Sequence, residues 1–122
     1  MNAREEPQQL QQAIALHRTG QLAAARMLYE AILRHEPGHF DALHLLGVIA
    51  AQTGDTERAA RLIGQALAVD PNNAAAYVNH GLALKELGRL DAALMSFRRA
   101  MAHDPRLPEP CYQANLSPEH LS

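Results

Sequence analysis

The sequence predicts an all-α fold: a right-handed solenoid of three antiparallel helix-turn-helix repeats, closed by a short C-terminal capping segment. Three observations predict it. Pro37, Pro71 and Pro105 fall at equal intervals of 34 residues, and Gly20, Gly54 and Gly88 repeat at the same interval. When residues 6–39, 40–73 and 74–107 are laid over one another, Ala13, Gly47 and Gly81 share a small column. In the same overlay Ala25, Ala59 and Ala93 share an alanine column, and Tyr29, Ile63 and Phe97 a large apolar one. Within each segment, apolar residues return at three- and four-residue steps, as amphipathic helices require.

Taken in order, the spacing predicts helices over 7–18, 22–35, 40–53, 56–69, 74–87 and 90–103. The second segment is the clearest, with Leu43, Leu46, Ile49 and Ala50 on one helix and Ala59, Leu62, Ile63, Ala66 and Leu67 on the next. Between the two helices of each segment sit Thr19-Gly20-Gln21, Thr53-Gly54-Asp55 and Leu87-Gly88-Arg89. Glycine there can take the left-handed conformation that ends a helix and satisfies its last carbonyls. The prolines follow the second helix of each segment and cannot continue it, while Asn72 and Asn73 can cap the helix that comes next. The small column lets the first helix of each pair approach its partner closely. A single pair cannot cover its own apolar face, so the repeats share one continuous core.

These residues resemble the tetratricopeptide repeat. Its pattern is matched best in the third segment by Tyr77, Gly81, Leu84, Ala93, Phe97 and Pro105, and nearly as well in the second by Leu43, Leu46, Gly47, Ala50, Ala59, Ile63 and Pro71. The first segment departs from it, since Gln9 and Gln12 stand where large apolar residues are expected, and His80 replaces the usual leucine in the third. The resemblance covers about residues 6–107 and assigns residues 1–107 to the repeat domain, with 108–122 left as a short cap helix or tail. Pro108, Pro110 and Pro118 interrupt that last segment, and Asn115 replaces the small residue a fourth repeat would need. The expectation is a cap over the third repeat, with truncation of a longer array as the alternative. An uncovered terminal repeat is expected to self-associate.

Composition narrows the chemistry. The 122-residue chain is 48% hydrophobic and 20% charged, which is globular and fits one domain. Aromatics make up 4% and the net charge is −2, with Lys85 the one lysine, so the basic stripe and stacking surface of a nucleic-acid binder are missing and no nucleic-acid partner is expected. No basic region followed by an apolar stretch opens the chain, and no window approaches eighteen continuous apolar residues. No membrane partner and a cytoplasmic location are the expectation. The lone Cys111 makes no intrachain disulfide and fits a reducing compartment.

The histidines carry no metal signature. His35 and His103 share a column at helix ends, where a neighbouring acid and the helix terminus favour the imidazolium. His39 and His44 are not at ligand spacing, and His80 falls in a packing column, where it is expected to bond to backbone. Neither a metal nor any other cofactor is expected. There is no phosphate-binding glycine loop and no nucleophile elbow, and the pair Asp41 and His44 is explained by a surface i, i+3 contact, so the chain is expected to be non-catalytic.

Recognition remains. In tetratricopeptide superhelices the first helices of successive pairs line a concave groove, so the resemblance implies a peptide-binding surface of Leu10, Ile14, His17 and Arg18 from the first repeat. Asp41, His44, Leu45, Val48 and Gln52 join it from the second, and Val78, Asn79, Leu82, Lys85 and Glu86 from the third. The expected function is a protein-protein interaction module holding a protein or peptide segment. The family's clamp for acidic chaperone tails is not expected, because Leu10, Ile14, Leu45 and Ala75 occupy its columns and of its set only Asn79 is present. The stretch Asn79–Asp91 is similar to repeats of bacterial O-GlcNAc-transferase-like proteins, which implies the alternative of a regulatory or substrate-docking module of a larger transferase. In those proteins asparagines recur along the groove; here Leu45 and Gln11 stand in the corresponding columns.

Overall fold

A computed structural model describes residues 5–107, with side chains from residue 8 onward. It contains six helices in antiparallel pairs: α1 Glu5–Arg18, α2 Leu22–His35, α3 Phe40–Gln52, α4 Thr56–Val69, α5 Ala74–Glu86 and α6 Leu90–His103. No strand occurs among the described residues. The expected boundaries hold to within a residue or two, with Thr53 and Leu87 serving as caps rather than last turns. The expected cap or tail at 108–122 lies outside the described residues.

Each turn is built around its glycine. Gly20, Gly54 and Gly88 have φ of +80°, +90° and +79°, where a side chain would be strained. In the middle turn the Asp55 N–H donates to the Ala50 carbonyl at 2.8 Å and the Gly54 N–H to that of Ala51 at 3.2 Å, which satisfies carbonyls the helix leaves open. The other two turns repeat the pattern through Gln21 to Leu16 and Arg89 to Leu84, both at 2.9 Å. The starts of α3, α4 and α5 are capped by side chains. Asp55 accepts from the Arg58 N–H and Asn73 from the Ala76 N–H, while His39 Nδ1 accepts from the Ala42 N–H, an imidazole in a place usually held by a hydroxyl or carboxylate.

Close approach within each pair rests on the small column. A Cβ placed on Gly47 would stand 2.6 Å from Ile63 Cγ1 and 3.3 Å from the Ala59 carbonyl oxygen. One on Gly81 would stand 2.7 Å from the Phe97 ring. The alanine column at Ala25, Ala59 and Ala93 is fully buried, as is Ala13. Stacking then joins the pairs. Leu43 and Leu46 of α3 pack with Tyr29 and Ile32 of α2, and Tyr77 of α5 packs with Ile63 and Leu67 of α4. Ion pairs add to both junctions on the outer helices, the half-buried Arg58 to Glu30 at 3.5 Å and the exposed Arg89 to Glu57 at 3.2 Å; open to solvent, each contributes about 1 kcal/mol at most.

Two substitutions separate these devices. Gly54→Val places a β-branched residue at positive φ and should destabilise by more than about 1 kcal/mol. Gly47→Leu drives a side chain into Ile63 and should cost about 1–3 kcal/mol or more. Urea denaturation measures both, and midpoints equal to the parent's would remove the assigned roles.

Candidate functional site

The face formed by α1, α3 and α5 carries two hollows in line. The first, between α1 and α3, is lined by Ile14, His17, Arg18, Leu45 and Gln52, with Tyr29 of α2 beneath. The second, between α3 and α5, brings Val48, Gln52, Asn79, Leu82 and Glu86 together over Ile63 and Ala83. Gln52 borders both. Their apolar floor follows from helix geometry: Leu45, Val48 and Gln52 succeed one another at three- and four-residue steps, one face of α3 away from the α4 contact.

Not every expected residue opens onto this face. His44 is a correction: it is only 8% exposed, because its position on α3 turns it under α5, where Asn79 Nδ2 stands 2.9 Å from its Nε2. Leu10 packs against the buried cluster of Tyr29, Ile32, Leu43 and Leu46, and Val78 against both the cluster around Ala83 and Phe97 and the one around Ile63 and Tyr77, so both support the floor. Asp41 is exposed at the first turn of α3, and Lys85 is half-buried on α5; neither lines the two hollows.

The polar groups are largely engaged with one another across repeats. His17 Nε2 lies 2.8 Å from Gln52 Oε1, and its Nδ1 lies 3.4 Å from the Tyr29 hydroxyl. Burial pushes the Tyr29 phenol up to about 12, and the nearby Asp41 carboxylate adds to the effect, so it stays protonated. Burial holds the His44 imidazole below its ordinary value, with Asp41 partly opposing. His80 is lowered for the same reason, against the pull of a hydrogen bond to the Ala60 backbone and with Arg99 adding to the lowering; its Nδ1 is 3.3 Å from Ser96 Oγ. His80 is thus the packed, backbone-bonded histidine expected of its column.

Tyr29 and Ser96 were not among the expected site residues. Both sit on second helices, and only the stacked structure shows their hydroxyls reaching His17 and His80. A further hollow lies on the opposite side among Leu22, Arg26, Ile49, Thr53 and Arg58. There Ala23 and Asp55 occupy the columns that hold the Glu57–Arg89 pair one repeat later, so that pair has no counterpart here. Among the described residues, no three His, Cys, Asp or Glu side chains gather as a metal site, and no helix is long and apolar enough to cross a membrane.

Comparison with known proteins places this geometry in a family. The tetratricopeptide repeat model matches residues 16–85, and a second model of the same description matches 74–106. The chain belongs to the tetratricopeptide repeat family. An FK506-binding protein-like protein of Mus musculus is 40% identical over 72 residues, 59% of this chain and 21% of that protein, so this chain spans about a fifth of that relative. A mutant O-GlcNAc transferase of Thermobaculum terrenum superposes with a TM-score of 0.81 at 28% identity, over 87% of this chain and 21% of the transferase. The second repeat domain of Spaghetti (RPAP3), bound to the HSP90 peptide SRMEEVD, superposes with a TM-score of 0.77 at 16% identity, over 81% of this chain and 92% of that domain, a likeness of fold.

The buried His44 and the partly buried His80 give the stack a pH dependence. Because His44 and His80 have folded values below the unfolded 6.5, the unfolded chain takes up protons that the folded chain refuses. Their contribution is complete above about pH 6.5 and is lost as pH falls towards the folded values. Urea midpoints should therefore drop between about pH 7.5 and about pH 5.5. The drop should be smaller in a chain carrying His44→Gln and His80→Gln; an equal drop would contradict the assignment.

Proposed function

We propose that the chain is a non-catalytic interaction module that holds a peptide or protein segment along the face of α1, α3 and α5. The observation that carries this reading is the pair of hollows that share Gln52 as a border, with an apolar floor at Leu45, Val48 and Leu82, the last 40% exposed. Since His17 with Gln52 and His44 with Asn79 are bonded to each other, apolar contact is the main term left for a ligand. Arg18 and Glu86, at opposite ends of the face, orient it. The repeat domain of Spaghetti, bound to an HSP90 peptide, lends support at the level of fold. A bacterial, cytoplasmic setting without nucleic-acid partners belongs to the same proposal; the net charge of −2 supports the lack of nucleic-acid partners, the single Cys111 fits a reducing compartment, and the likeness to the Thermobaculum terrenum protein supports a bacterial setting. The second reading is a regulatory or substrate-docking module of a larger transferase, favoured by the likeness to the Thermobaculum terrenum enzyme.

A displayed random-peptide library panned on the chain tests the groove. Val48→Glu with Leu82→Glu places charges where ligand side chains must be desolvated and should abolish binding of the selected peptides while the helical circular dichroism survives. Arg61→Ser, on exposed α4 surface, should leave their affinity unchanged. A folded groove double mutant that binds the same peptides as tightly as the parent would overturn the reading.

A further inference from the structure

We propose that the free face of α6 is a self-association surface whose occupant is a second copy of this chain, packed α6 against α6 in antiparallel orientation. Leu90, Leu94, Arg98 and Met101 follow one another along α6 at four-, four- and three-residue steps and form one stripe. Most of the same columns in earlier helices are covered by the next repeat, the exposed Arg26 in the column of Leu94 being the exception. In α2, Leu22 and Leu33 pack against the first cluster and Glu30 meets Arg58. In α4, Ala60 and Leu67 are buried, and a Cβ on Gly64 would stand 3.4 Å from His80. In α6, Leu90 is 50% exposed and Arg98 is exposed, while Leu94 and Met101 are half-buried, and no described helix follows.

The two ends of the stack differ, and the difference selects the pairing. At the other end Gln9 and Gln12 hold the columns in which Leu43 and Leu46 insert into the preceding repeat. Head-to-tail stacking would press those amides onto the α6 stripe without partners, a costly burial. A two-fold pairing of α6 with its own copy avoids this, since an isologous interface uses one patch twice. The charges are self-complementary for it. Asp91 lies seven residues before Arg98 beside the stripe, and neither is in an ion pair with another described residue. An antiparallel pair centred at Leu94 sets Asp91 of each copy against Arg98 of the other, with leucine against leucine between them. This stands independently of the groove.

Sedimentation velocity of the 122-residue chain over about 1–100 μM, the range suited to a small interface, tests it. The mass should rise from 13.3 kDa towards twice that value. Asp91→Arg or Arg98→Asp alone should weaken association at least about tenfold, because each sets like charges opposite one another. An equimolar mixture of the two variants should associate again, since each then supplies the other's missing partner. A chain that stays at 13.3 kDa throughout, as when residues 108–122 cover α6 in cis, overturns the proposal. So does a mixture that fails to associate. Should a charge reversal lose its helical signal, Leu94→Gln replaces it, and association undiminished by that change likewise overturns the proposal.

Discussion

Everything in this stack depends on two side chains that are absent. At Gly47 and Gly81 the backbone of a first helix lies so close to Ile63 and Phe97 that even a methyl group would overlap them. The second and third pairs therefore each close on one large side chain seated against bare backbone, with the buried alanines Ala59 and Ala93 beside it, while the first pair has the buried Ala13 in that column. Tight pairs present narrow, regular outer faces, and regular faces can stack at a fixed offset. The turn glycines make the pairs antiparallel; the small column sets how near the two helices lie.

From that spacing the proposed binding face follows. Stacking brings α1, α3 and α5 side by side, and polar residues one helix apart find each other, His17 with Gln52 and His44 with Asn79. The desolvated His44 imidazole, bonded to the Asn79 amide, rigidifies the face without charging it. What stays open is apolar floor with charge at its margins, a surface suited to side chains of a peptide more than to a phosphate or a metal. The face is shaped by the same repeat that closes the core.

The fold was legible in the sequence because a repeat shows each structural requirement three times. Gly20, Gly54 and Gly88 could be assigned to turns, and Tyr29, Ile63 and Phe97 to the core, from their columns alone, and all of them take those roles. The site was less legible, for a physical reason. Whether His44 faces solvent or the next repeat depends on the stacking offset, and its partner Asn79 lies outside its own helix pair. The hollow beside Leu22 and Arg26 was marked in the columns, where Ala23 and Asp55 break the pairing that Glu57 and Arg89 make. That mark carries meaning only once α2 and α4 are seen as neighbours.

The measurement closest to the central claim is a double-mutant cycle on the third pair. Gly81→Ala alone should destabilise, because the new methyl meets the Phe97 ring, and Phe97→Leu alone should destabilise by loss of packing. Combined, the two should cost less than their sum by about 0.5–3 kcal/mol, since the smaller side chain yields the space the methyl needs. Strict additivity in urea denaturation would mean that the bare backbone at Gly81 is not what seats Phe97, and the account of how these helices pair would fail.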